Sequence, residues 1–172
     1  MATSLKKYLQ SLAPDELIEE VLKLSRKFKD VKAYYAMELG DSAQQAALVA
    51  AYKEKIKKHY FPGRGYGAPQ ASEVRKLISE FKKISVFPDD VVDVLLYRVE
   101  QAVAYTNAYG DIDQTFYTST EKAFEEALKS LKANSLINQF EARCRRIQRE
   151  ADGIGWGFSD QMHWLAETYL NK

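Results

Sequence analysis

Two short stretches place glycine at every second position: Gly63, Gly65 and Gly67 in FPGRGYGAP, and Gly153, Gly155 and Gly157 in DGIGWGF. Tyr66 or Trp156 stands between the last two glycines of each. Alternate glycines let successive N–H groups turn to one side and form an anion-binding nest, and Arg64 would add a bidentate phosphate donor. The plainer reading is that glycine after a helix is commonly a C-cap and that the neighbouring aromatic packs. Neither stretch follows a strand, neither matches G-x-G-x-x-G before a helix, and no GK[ST] occurs, so nucleotide-binding fingerprints are absent.

Arg98 is the second anomaly. Helical spacing sets it among Val91, Val94, Ala102, Tyr105 and Tyr109, and a buried guanidinium requires a carboxylate, carbonyls or a bound anion. A structural ion pair or a snorkelling stem would also serve. Asp111, Asp113 and the D-x-x-H pair Asp160 and His163 raise a cation reading. With two histidines in the chain the ligand count is thin for a hydrolytic metal site, and Asp113 as a helix cap and Asp111 as a turn residue explain themselves. No metal or cofactor is expected. Cys144 shares a helical stripe with Ile137, Phe140, Ile147 and Ala151 and reads as a core residue rather than a nucleophile. No G-x-S-x-G elbow is present, and His59 and His163 have no Ser or Cys partner by motif, so no catalytic residue is assigned. The basic runs Lys53 to Lys58 and Arg143 to Arg149 are broken by Glu54, Glu141 and Glu150, the pattern of a solvated helix face, which argues against nucleic acid.

The element that must position these groups is the run from Phe87 to Asp113. Val91, Val92, Leu95, Leu96, Val99, Ala102, Val103 and Thr106 cover one broad side of a helix over 88–109, leaving Asp93, Tyr97, Glu100, Gln101 and Asn107 on a narrow strip. An apolar arc that wide implies several neighbours at once. Pro88, Asp89 and Asp90 suit its start and Gly110 a left-handed end.

Around it the 3.6-residue period gives eight more helices. Leu5, Leu9 and Leu12 mark the first. Pro14 opens a second, with Leu17, Ile18, Val21, Leu24 and Phe28 inward. Asp30 caps a third, with Val31, Tyr34, Tyr35 and Leu39 inward. Ser42 and Gln45 form a capping box for a fourth, and a fifth runs near Gln70 to Ser85. Asp113 caps a seventh, Asn134 or Ser135 an eighth and Ser159 a ninth. No strand-like alternation occurs. The expected fold is all-α, an irregular multi-helix bundle or a curved stack of helical hairpins. It forms one domain over 1–172, with a subdivision into 1–60 and 70–172 about the Gly/Pro loop 61–69.

The 172 residues suffice for a sizeable core, with about 70% of the unfolded surface buried on area scaling. Lys and Arg total 25 against 24 Asp and Glu, so no global field points to nucleic acid or an anionic membrane. A single cysteine excludes an internal disulfide, and no segment approaches the length of a membrane span or signal peptide. The expected location is cytoplasmic.

YFPGRGYG at 60–67, TNAYGDID at 106–113 and DGIGWGFSD at 152–160, with the opening LKKYLQSLAPDELIEEVLKLSRKFKDVKAYY, resemble a family of small bacterial all-helical proteins built on a domain of unknown function. The resemblance spans nearly the whole chain and implies a bacterial cytoplasmic protein; it brings no activity or cofactor. Two functions from different classes follow from the residues. One is a non-catalytic interaction module that binds a protein partner or itself, with Tyr34, Tyr35, Tyr66 or Trp156 as anchors. The other is a small-molecule or phosphate site, enzymatic or not, where the glycine loops approach the central helix, built from Arg64, Arg98, Asp111, Asp113 and Trp156.

Overall fold

The computed structural model describes residues 2–63 and 68–171. Among them the chain forms nine helices and no strand: α1 (Ala2–Ser11), α2 (Pro14–Lys27), α3 (Lys29–Leu39), α4 (Ser42–Tyr60), α5 (Ala71–Ile84), α6 (Pro88–Tyr109), α7 (Gln114–Ala133), α8 (Ile137–Glu150) and α9 (Phe158–Leu170). The fold is all-α.

α6 is the hub, packing against α4, α5, α7 and α8. Val92, Leu95, Leu96, Val99, Ala102 and Val103 are buried along it, as its apolar arc requires. Its end departs from the expected left-handed cap. Gly110 has φ 89° and ψ −173°, a region open essentially to glycine, and its N–H still reaches the Thr106 carbonyl at 2.8 Å. One apolar cluster runs from Met37 on α3 to Leu170 on α9. α4 packs on both α5 and α6, so chain on either side of the 61–69 segment shares that core.

Several helix ends differ from those expected by one or two residues, and the reason is local geometry. Asp41, not Ser42, has the extended backbone of an N-cap. It accepts from the Gln44 N–H at 2.8 Å while Gln44 Oε1 accepts from the Asp41 N–H at 3.1 Å, a reciprocal box. Gln45 instead ties α4 back to the Met37 and Gly40 carbonyls. Phe28, extended, precedes α3, which leaves Asp30 within the first turn. Asn134 and Ser135 close α7 rather than open α8. Ser135 is left-handed at φ 58°, and the Leu136 N–H returns to the Leu131 carbonyl at 2.9 Å, the Schellman pattern. Gly157, left-handed at φ 71°, takes the place expected for Ser159 at the head of α9.

The largest departure is at the N-terminus. α2 carries the expected apolar stripe, yet none of its residues is buried. Among its neighbours it packs chiefly on α3, and Ile18, Val21, Leu24 and Phe28 of its stripe stay exposed. On α3 the inward residue is Met37, and Leu39 is 79% exposed.

Candidate functional site

α5 and α7 run in the same direction on either side of Arg98. Arg75 of α5 donates to Ser119 Oγ of α7 at 3.4 Å, and seven residues further along each helix Lys82 pairs with Glu126. Two turns on both helices keep the two contacts in register. Between them lies a groove of about 720 Å³, lined on α5 by Arg75, Ser79 and Lys82 and on α7 by Thr115, Thr118, Ser119 and Lys122. Ile78 and Ala123 add apolar wall, and Arg98 reaches it from α6.

Arg98 is 5% exposed. Its Nη2 donates to Ser119 Oγ at 2.7 Å and to the Ser119 carbonyl at 3.1 Å, while its Nε is buried with no hydrogen-bond partner among the described residues. No carboxylate of the described residues pairs with Arg98, Arg75 or Lys122. Burial pushes the Tyr60 phenol above its ordinary value, with the Arg98 charge and a side-chain hydrogen bond from Arg98 pulling it back.

The other residues singled out by the sequence lie elsewhere. Asp113 caps α7, its Oδ1 accepting from the Phe116 N–H at 2.8 Å. Asp111 accepts from the Tyr117 hydroxyl at 3.0 Å, and a Cβ added to Gly155 would stand 3.1 Å from Asp111 Oδ2. The second glycine loop therefore does reach the end of the central helix. Arg98 does not: it lies twelve residues before Gly110, about 18 Å along the axis at the helical rise. Trp156 projects from that loop, left-handed at φ 60° and 61% exposed. Tyr34 and Tyr35 meet edge to face with centroids 5.3 Å apart, Tyr34 on the exposed side. Arg64 and Tyr66, with Gly65 and Gly67 of the first nest, fall outside the described residues.

The D-x-x-H pair is not a pair. The Gln148 amide lies 2.7 Å from His163 Nδ1, which leaves Nε2 to donate to Asp152 Oδ1 at 2.6 Å, and Asp160 takes no part. No group of three or more His, Cys, Asp or Glu among the described residues is placed to hold a metal. Cys144 is fully buried, and burial pushes its thiol up to about 12. Three arginines of α8, Arg143, Arg145 and Arg146, are engaged with acids. Arg143 bridges Asp93 and Glu100, with Lys53 also on Asp93 and Arg146 also on Glu100, a lattice that locks α4, α6 and α8 together.

At the N-terminal end of the chain, α1 and α2 present Leu5, Leu9, Ile18, Val21, Leu22 and Leu24 to solvent. Between these two helices a groove of about 530 Å³ is lined by Leu5, Leu9, Leu12 and Leu17.

The match that places the chain covers residues 1–169, its whole described length but for two residues. The chain belongs to DUF6155, a family of unknown function. No curated protein and no solved structure matches it. What membership in DUF6155 establishes is thus kinship over the full fold, with both the groove and the apolar face inside the matched span. Sequence reasoning reached Arg98 but missed Arg75, Ser119 and Lys122. Their signal was a polar stripe at helical spacing, Arg75, Ser79 and Lys82 on one helix and Thr115, Ser119, Lys122 and Glu126 on another.

Proposed function

We propose that this protein is a non-catalytic interaction module of the bacterial cytoplasm, and that its partner is a second copy of itself docked through α1 and α2. The observation that carries the reading is α2, a fourteen-residue amphipathic helix with no buried residue. Isolated helices of this length are marginal in water, and an uncovered apolar stripe of this kind marks an interaction surface.

Charge selects the partner. Asp15, Glu16, Glu19 and Glu20 fill the first half of α2, and Lys23, Arg26 and Lys27 the second. An antiparallel pair centred on Val21 sets Asp15 opposite Lys27, Glu16 opposite Arg26, Glu19 opposite Lys23 and Ile18 opposite Leu24. A parallel pair would set like against like. The twofold arrangement is therefore self-complementary in charge and in apolar contact, as a closed dimer requires. Helices of ten and fourteen residues are about 15 and 21 Å long, enough to span an interface of roughly 800 Å² per partner.

Sedimentation equilibrium tests the reading. The wild-type protein is expected to be a dimer at micromolar concentration and Ile18→Glu a folded monomer with unchanged helical circular dichroism. A wild-type monomer at 100 µM and above would overturn it.

A further inference from the structure

The groove between α5 and α7 shares no lining residue with the groove between α1 and α2, and self-association leaves its chemistry unexplained. Two guanidinium groups, Arg75 and Arg98, converge there on one neutral oxygen, Ser119 Oγ. Two such cations bonded to a hydroxyl repel one another with no carboxylate between them, and one of them is desolvated. Arg98 Nε is the sharper sign, because a buried donor without a partner costs free energy unless something outside the chain accepts from it. Lys82 is neutralised by Glu126 at one end of the groove. Among the described residues Arg75, Arg98 and Lys122 pair with no carboxylate, and they stand alongside the hydroxyls of Thr115, Thr118 and Ser119.

We infer that this groove is a binding site for the phosphate group of a small organic phosphate ester, held by Arg75, Arg98 and Lys122. Three cations without a carboxylate among the described residues match a phosphate dianion better than a monoanionic carboxylate, which a single guanidinium fork satisfies. A volume of about 720 Å³ exceeds what a bare phosphate fills and falls in the range of small-molecule pockets. Ile78 and Ala123 offer the remainder of the ligand apolar wall. The site owes nothing to a glycine nest or a helix terminus: its donors are side chains from the middle of three helices.

Isothermal titration and thermal shift at fixed ionic strength test it, with inorganic phosphate, phenyl phosphate and benzoate as probes and chloride as the balancing salt. Phenyl phosphate is expected to bind tightest and to raise the Tm by about 3 °C or more near 100-fold excess over its Kd. Arg75→Gln and Lys122→Gln, both at exposed positions, should each weaken it about tenfold, and Arg98→Met should abolish it. Lys129→Gln, whose lysine pairs with Glu125, should leave it unchanged. Absence of a shift with either phosphate, equal binding of benzoate, or full affinity in Arg75→Gln would overturn the assignment. Equal affinity for inorganic and phenyl phosphate would overturn the organic body. Since Ile18→Glu retains this groove, loss of the dimer and loss of phosphate binding are separable.

Discussion

Arg98 Nη2 donates to both the hydroxyl and the carbonyl of Ser119. A guanidinium kept for stability would be expected beside a carboxylate, and here none of the described residues supplies one. Replacing such a group with an apolar side chain of similar length is often neutral or stabilising. Arg98→Met should therefore unfold in chloride buffer at a Tm equal to or above that of the wild type. A loss of more than about 2 kcal/mol, the range of a broken buried interaction, would mark Arg98 as structural.

Glu100 gives the acid-side behaviour. Burial works to raise its carboxyl, but hydrogen bonds and charge from Arg143 and then Arg146 outweigh burial and hold it below its ordinary value. Its stabilising contribution is complete above the ordinary carboxylate range near pH 4.3 and is lost as pH falls through the lowered value. Glu100→Gln should cost about 1.5–3 kcal/mol at pH 7 and show a shallower loss of Tm between pH 5 and 3 than the wild type. Parallel Tm–pH curves would count against the network.

Gly110 ends α6 and turns the chain towards α7. No atom would crowd a Cβ there, so the penalty for alanine is conformational alone. Gly110→Ala should cost about 1–3 kcal/mol, read as a lower urea midpoint at unchanged m-value. Wild-type stability in the variant would mean that the turn tolerates another backbone.

Cys144 should be silent. With its thiol pushed up to about 12 and no exposed surface, it should react with a disulfide reagent in the native protein only at the rate of opening, and rapidly in denaturant. Stoichiometric labelling of the native protein within seconds would contradict that.

The hub and its neighbours were legible because burial on all sides leaves a wide apolar arc, visible from Val91 to Thr106. Arg98 stood out by interrupting that arc. Cap positions were less legible: Asp41 and Ser42 are both good caps, and only the extended backbone at Asp41 decides between them. The α2 stripe shows the other limit. Periodicity tells that Ile18 and Val21 share a face, but not whether the chain itself supplies what covers it. The partners of Arg98 were hidden because convergence on Ser119 joins three helices, and no spacing within one helix records that.

Antiparallel pairing of α2 is best read out by cysteine cross-linking. At a twofold centred on Val21 that residue faces its own symmetry mate, and a disulfide forms only when the Cα atoms come within about 7 Å. In a Cys144→Ser background, Val21→Cys should cross-link to a covalent dimer under mild oxidation, while Lys129→Cys, at an exposed position of α7, should not. A Val21→Cys protein that stays monomeric, or cross-links no faster than Lys129→Cys, would contradict the account.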